Sequence, residues 1–98
     1  MMRTLALEWG RVGIRSNSIA PGFIAETEGT KRVAHSGAVA AIVKATPLSR
    51  LGSVDDIGQA AVFLSSPLAS FITGTMLVVD GGHYLSGSAP VNAFQTTL

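Results

Sequence analysis

The stretch Asn17-Ser18-Ile19-Ala20-Pro21-Gly22-Phe23-Ile24 constrains the fold of this chain more than any other. An apolar run from Ile14 to Ala20 meets Pro-Gly and then continues apolar. Proline fixes φ and has no N–H to give a neighbouring strand. Glycine permits backbone shapes closed to other residues and lets the main chain approach another group closely. In an α/β protein this is the pattern of a strand ending at the carboxyl edge of a parallel sheet, where ligands bind. Pro-Gly is also an ordinary turn, so the dipeptide takes its meaning from what surrounds it.

The surrounding pattern predicts helix, strand, long helical crossover, strand. Met1 to Trp9 carries good helix formers, with Met2, Leu5 and Trp9 on one face. Gly10 and Gly13 are expected to end that helix. Ile14 to Ala20 is the first predicted strand. Lys31-Arg32-Val33 and Ala38 to Lys44 read as two short helices broken at Ser36-Gly37. Thr46-Pro47 ends the region, because a residue before proline avoids the helical range. Ser53 to Leu64 reads as a helix whose stripe is Ile57, Ala60, Ala61 and Leu64. Ser53 with Asp56 resembles a capping box, and Asp55 and Asp56 suit the positive end of the helix dipole. Ser65-Ser66-Pro67 stops it. Met76 to Val79 is a short apolar run, as expected of a strand buried on both faces. Asp80-Gly81-Gly82 closes that strand, and residues 86–98 read as a flexible tail.

Composition excludes several functions. The chain has 98 residues, enough for one domain, and a net charge of +1 from seven Lys/Arg against six Asp/Glu. That balance gives no field for nucleic acid or a membrane surface, and no apolar run approaches a membrane span. There is no cysteine, so disulfides, thiol nucleophiles and thiolate metal sites are absent. His35 and His83 are too isolated to pair on a metal, so no metal site is expected, and both read as solvated. Charged residues make up only 13% against 47% hydrophobic. A small domain normally carries about a quarter charged residues. The expectation is that more chain or further subunits cover part of this surface, with Trp9 a core or subunit-interface anchor.

The ordered set Leu5-Ala6-Leu7-Glu8-Trp9-Gly10, Pro21-Gly22, Pro47-Leu48-Ser49-Arg50-Leu51-Gly52, Ile72-Thr73-Gly74 and Asp80-Gly81-Gly82 resembles the C-terminal part of the short-chain dehydrogenase/reductases. The resemblance covers roughly Met1 to Leu85. Within that family, Pro21 to Gly29 and Ser65 to Gly74 are similar to the peroxisomal 2,4-dienoyl-CoA reductases. The resemblance implies the closing portion of a Rossmann-type doubly wound parallel α/β sheet over residues 1–85. It also implies a parent that passes hydride from NADPH, with NAD not excluded, to a 2,4-dienoyl-CoA thioester in unsaturated fatty-acid degradation. The alternatives are another family member, such as a 3-oxoacyl reductase, and a non-catalytic fragment that only associates with full-length subunits. A homo-oligomeric parent is implied. So is a peroxisomal location, or otherwise a cytoplasmic one. Thr96-Thr97-Leu98 matches a Ser-Lys-Leu-type address only at the leucine.

Two family signatures are missing from these residues. There is no Gly-x-Gly-x-x-Gly turn to seat a pyrophosphate at a helix N-terminus. The family's catalytic Tyr-x-x-x-Lys is absent too: the single tyrosine is Tyr84, and position 88 is Ser88. No catalytic residue is therefore assigned within the chain. It reads as a piece of a larger enzyme, or a truncated product, that turns over nothing alone.

The functional positions that carry over are Pro21, Gly22, Ile24 and Thr27. By the resemblance, Pro21 shapes a wall, and the backbone at Gly22 and Ile24 supplies one donor and one acceptor to a nicotinamide carboxamide. Thr27 resembles the threonine that reaches the pyrophosphate, one residue further from Pro-Gly than the common pattern has it. As plain residues, Pro21-Gly22 is a turn and Thr27 a helix N-cap before Glu28. The segment Ala25 to Ala45, interrupted by Gly29 and Gly37, is read as a lid over the substrate. Its Lys31 and Arg32 either meet the phosphates of an acyl-CoA substrate or are solvated. Asp80 is read as capping the turn at Gly81-Gly82. Glu8 and Arg15 are read as an ion pair between helix and strand.

Overall fold

The computed structural model describes residues 1–33 and 37–86, without the side chains of Arg32 and Val33. Residues 87–98 of the expected tail, His35 and Ser36 lie outside these residues. The chain divides into two compact units, Met1–Pro21 with Val54–Val79 and Gly22–Ser53 with Asp80–Leu98.

The first unit holds a two-stranded parallel sheet. Strand β1 is Ser18–Pro21 and strand β2 is Met76–Val79. Their register pairs Ser18 with Met76, Ile19 with Leu77, Ala20 with Val78 and Pro21 with Val79. Parallel neighbours cannot be joined by a hairpin, and more than fifty residues separate these two. Helix α1, Met2–Trp9, precedes β1, and helix α4, Val54–Ser65, packs on both strands.

β1 is shorter than the run Ile14 to Ala20 predicted. Residues 15–17 instead form a polar clasp. The Ser16 N–H donates to Thr73 Oγ1 at 3.0 Å, and the Gly74 N–H donates to the Ser16 carbonyl at 2.7 Å. The Asn17 side chain donates to the Ile72 carbonyl at 3.1 Å and accepts from the Thr75 N–H at 3.0 Å. This is the structural role of Ile72-Thr73-Gly74: it turns the chain into β2, with Gly74 at a φ of +75°. Arg15 does not pair with Glu8. Its guanidinium donates to the carbonyls of Leu64, Ile72 and Ser66 at 2.6, 3.4 and 3.5 Å. Leu64 lies in the last turn of α4, whose carbonyls have no partner within the helix, so the cation closes a helix end.

Other expectations are corrected in the same unit. α1 ends at Trp9 with Gly10 as its C-cap, where the sequence placed the end, but Gly10 is not left-handed. It sits at φ −58°, in the right-handed range, and opens a single 3-10 turn, Gly10–Val12. Gly13 makes the left-handed turn at φ +83°. Trp9 is not in a core, being 48% exposed. β2 is not covered on both faces. Met76 and Val78 are exposed while Leu77 and Val79 are half-buried, the alternation of a strand packed on one side. On α4, Ile57, Ala60 and Leu64 are half-buried, but Ala61 is exposed. α4 stops at Ser66-Pro67 as expected. The Ser66 hydroxyl donates to the Phe63 carbonyl and accepts from the Leu68 N–H, opening the turn Pro67–Ala69.

The second unit carries helices α2, Glu28–Val33, and α3, Ala38–Ala45, which contact each other. Gly29 lies inside α2 rather than interrupting the segment. Gly37 supplies the break, at φ +76°. α3 ends where the proline rule places it: Thr46 is extended at φ −90°, ψ 121°, just before Pro47. Thr46 is also buried, and its hydroxyl donates to the Ile42 carbonyl at 2.6 Å.

Candidate functional site

Three of the sequence motifs meet in the second unit. Gly22 of the Pro-Gly pair has Asp80 of Asp80-Gly81-Gly82 as its neighbour. A Cβ built on Gly22 would lie 2.5 Å from the Asp80 Cβ and 2.9 Å from its Cα. No real pair of carbons sits that close, so glycine is required here by the Asp80 backbone. Leu48 of the Pro47–Gly52 motif donates its N–H to the Gly81 carbonyl at 3.2 Å. Gly81 and Gly82 both have positive φ, and both pack tightly. A Cβ on Gly81 would meet Thr46 Cγ2 at 2.9 Å, and one on Gly82 would meet Pro47 Cγ at 3.0 Å.

Asp80 caps this turn, as its plain reading held. Its two carboxylate oxygens accept from the N–H groups of Gly82 and Tyr84 at 2.9 and 3.0 Å. His83 is not the solvated histidine expected from the sequence. It is half-buried, its ring lies 5.7 Å from that of Phe23, and its Nδ1 is buried without a partner among the described residues.

Phe23, Ile24 and Ala25 run alongside Gly52. The Gly52 N–H donates to the Phe23 carbonyl at 3.0 Å, and the Ala25 N–H to the Gly52 carbonyl at 2.8 Å, making a parallel bridge at Ile24. In an extended chain, alternate residues turn their backbone groups to opposite sides. Ile24 therefore directs its own N–H and C=O away from Gly52, and its side chain is buried at 8% exposure. Its N–H has no acceptor among the described residues. Its carbonyl is crowded. The hydroxyls of Thr27 and Thr30 each lie 2.7 Å from it, and the Thr27 N–H lies at 3.4 Å.

Thr27 is the N-cap of α2, since its Oγ1 accepts from the Thr30 N–H at 3.4 Å. Its hydroxyl proton is committed to Ile24, so donating to a phosphate would require releasing that carbonyl. Between Ile24 and Thr27 the chain passes through Glu26 at φ +66°. A non-glycine residue seldom holds this left-handed conformation, and where it does the surroundings impose it. Pro21 is the last, exposed residue of β1. Lys31 is exposed on α2, while the Arg32 side chain lies outside the described residues.

The site's free N–H suits an acceptor such as a carboxamide oxygen. Sequence reasoning missed Thr30, one of the few buried polar residues, at 7% exposure. A threonine three positions after an N-cap carries no signal of its own. Only the fold shows that it reaches back to Ile24.

Comparison with known proteins adds four observations. A family model described as Enoyl-(Acyl carrier protein) reductase matches residues 1–84. The peroxisomal 2,4-dienoyl-CoA reductase of Saccharomyces cerevisiae is 49% identical over 88 residues, covering 90% of this chain and 30% of that protein. Among solved structures, a putative 2-deoxy-d-gluconate 3-dehydrogenase from Agrobacterium tumefaciens with bound NADP superposes at a TM-score of 0.77 with 44% identity, covering 85% of this chain and 34% of that one. A 4-hydroxyisoleucine dehydrogenase complexed with NADH gives 0.78 with 36% identity, covering 88% and 35%. The chain thus spans about a third of the length of the proteins it matches.

Proposed function

The chain belongs to the short-chain dehydrogenase/reductase family, and on that premise we propose that the protein carrying it is an NADPH-dependent 2,4-dienoyl-CoA reductase of unsaturated fatty-acid degradation. The observation that carries this reading is the 49% identity, over 88 residues, to a peroxisomal enzyme of that name. A peroxisomal setting and an acyl-CoA substrate go with it. Oligomerisation of the parent is proposed from the low charge and the exposed apolar residues, among them Phe71 at 102% and Leu68 at 83% exposure.

A nicotinamide cofactor, when bound, supplies hydride, while the protein supplies position and electrostatics. Pro21, Gly22 and Ile24 form the backbone wall for its carboxamide, with the Ile24 N–H as donor. Thr27 holds that wall by capping α2. The segment from Ala25 to Ala45 covers the substrate, and Lys31 and Arg32 meet the phosphates of coenzyme A as point charge and guanidinium fork. General acid-base chemistry falls to residues outside this segment.

A second reading keeps the family and changes the substrate. The 44% identity to a putative sugar-acid dehydrogenase favours it. The two separate in one experiment on the full-length protein. NADPH oxidation is measured with a 2,4-dienoyl-CoA, and cofactor reduction with a sugar acid. Turnover of the dienoyl thioester supports the first reading. Turnover of the sugar acid alone replaces it with the second.

A further inference from the structure

Resting on the reading that Ile24 faces a nicotinamide carboxamide, we propose that Thr30 is a positioning residue: its hydroxyl and that of Thr27 saturate the Ile24 carbonyl, so that Ile24 meets the carboxamide as a hydrogen-bond donor only.

A backbone carbonyl has two lone pairs, and a threonine hydroxyl has one proton. Thr27 Oγ1 and Thr30 Oγ1 both lie 2.7 Å from the Ile24 oxygen. They lie 3.2 Å from each other, a longer contact that neither proton serves once both point at Ile24. Both lone pairs are then occupied. The bond from Thr30 is not the usual helical one, in which a threonine turns back to the carbonyl four residues earlier. It spans six residues and leaves α2 altogether. It is also buried, at 7% exposure for Thr30, where a hydrogen bond competes least with water.

The consequence reaches the Ile24 N–H through the stiffness of the chain. Gly52 holds the backbone on one side of Ile24, through Phe23 and Ala25, and the two hydroxyls hold its carbonyl on the other. The orientation of this residue is then set before any ligand arrives, which lowers the ordering cost of binding. The acceptor that a carboxamide NH2 group needs falls to Gly22, and the roles of the two wall residues become distinct.

The test uses the full-length protein and two ligands, NADPH and 2′-phospho-ADP-ribose, which lacks the nicotinamide. Thr30→Val removes the hydroxyl at nearly constant shape. The expected result is a Kd for NADPH raised about tenfold, an unchanged Kd for 2′-phospho-ADP-ribose, and recovery in Thr30→Ser. Thr30→Ala makes the same deletion should the valine variant not fold. Amide exchange at Ile24, with and without NADPH, is followed in the wild type. Protection there with no change of NADPH affinity in the hydroxyl deletion overturns the role of Thr30 and leaves the wall intact. Equal weakening of both ligands overturns it too, by reducing Thr30 to a general support of the fold. No protection at Ile24 removes the wall itself, and the inference with it.

Discussion

Gly22 and Asp80 touch backbone to backbone: a Cβ on the glycine would stand 2.9 Å from the aspartate Cα and 2.5 Å from its Cβ. This contact changes what a substitution at Gly22 does. From the sequence alone, Gly22→Val is expected to raise the cofactor KM more than it lowers stability, by intruding on the nicotinamide. The structure puts the intrusion against Asp80 first. Gly22→Ala should therefore destabilise the protein by about 1–3 kcal/mol, the range for overpacking a tight site, and Gly22→Val by more. Denaturant unfolding of the full-length variants measures this. An alanine variant as stable as the wild type, with weakened cofactor binding, would restore the sequence-based view.

Asp80 itself holds the turn after β2 through two backbone N–H groups, those of Gly82 and Tyr84. Asp80→Ala leaves both without their acceptor, and the expected loss is about 2 kcal/mol. Asp80→Asn keeps one carbonyl oxygen and should lose roughly half as much. Denaturant midpoints of the two variants give the comparison. Equal losses would show that the negative charge, rather than the acceptor count, matters at this turn.

Arg15 offers a third check. Its guanidinium reaches three carbonyls, those of Leu64, Ser66 and Ile72, with donors fixed in one plane. A lysine ammonium keeps the charge but cannot span that set. Arg15→Lys should lose about 1–2 kcal/mol of stability, since hydrogen bonds to charged groups are stronger than neutral ones. A lysine variant indistinguishable from the wild type in unfolding would mean that one carbonyl contact carries the whole effect.

The parts of this fold that the sequence announced are those fixed by local chemistry. The proline at 47 ended α3, Ser66-Pro67 ended α4, and Asp80 capped its glycine turn, because each acts within a few residues of itself. The parts it misplaced depend on distant partners. Arg15 to Asn17 lies in a run with the pattern of a strand but is drawn into a clasp with residues 72–75. Arg15 was legible as a charge and not as a helix-end clamp, since the carbonyls it meets lie about fifty residues away. The site divides in the same manner. Pro21, Gly22 and Thr27 stand out as residue types, whereas Thr30 and the Gly22–Asp80 contact exist only once the motifs are brought together.

Lys31 and Arg32 carry the last prediction. Lys31 is exposed on α2, the helix that Thr27 caps, and Arg32 follows it on the same element. Both stand just beyond the proposed nicotinamide wall, on the segment assigned to cover the substrate. If they bind the phosphates of coenzyme A, their contribution belongs to the nucleotide half of the substrate and not to its acyl chain. In the full-length protein, Lys31→Ala/Arg32→Ala should then raise the KM for a dienoyl-CoA several-fold. A short thioester lacking the nucleotide should be turned over as before. The difference should shrink as salt rises, because a charge as exposed as Lys31 is screened over about 10 Å at 0.1 M ionic strength. Steady-state kinetics with both substrates at two salt concentrations provides the measurement. Equal effects on the two thioesters, or a salt-independent loss, would leave the pair a structural role in α2 and place the coenzyme A site elsewhere in the protein.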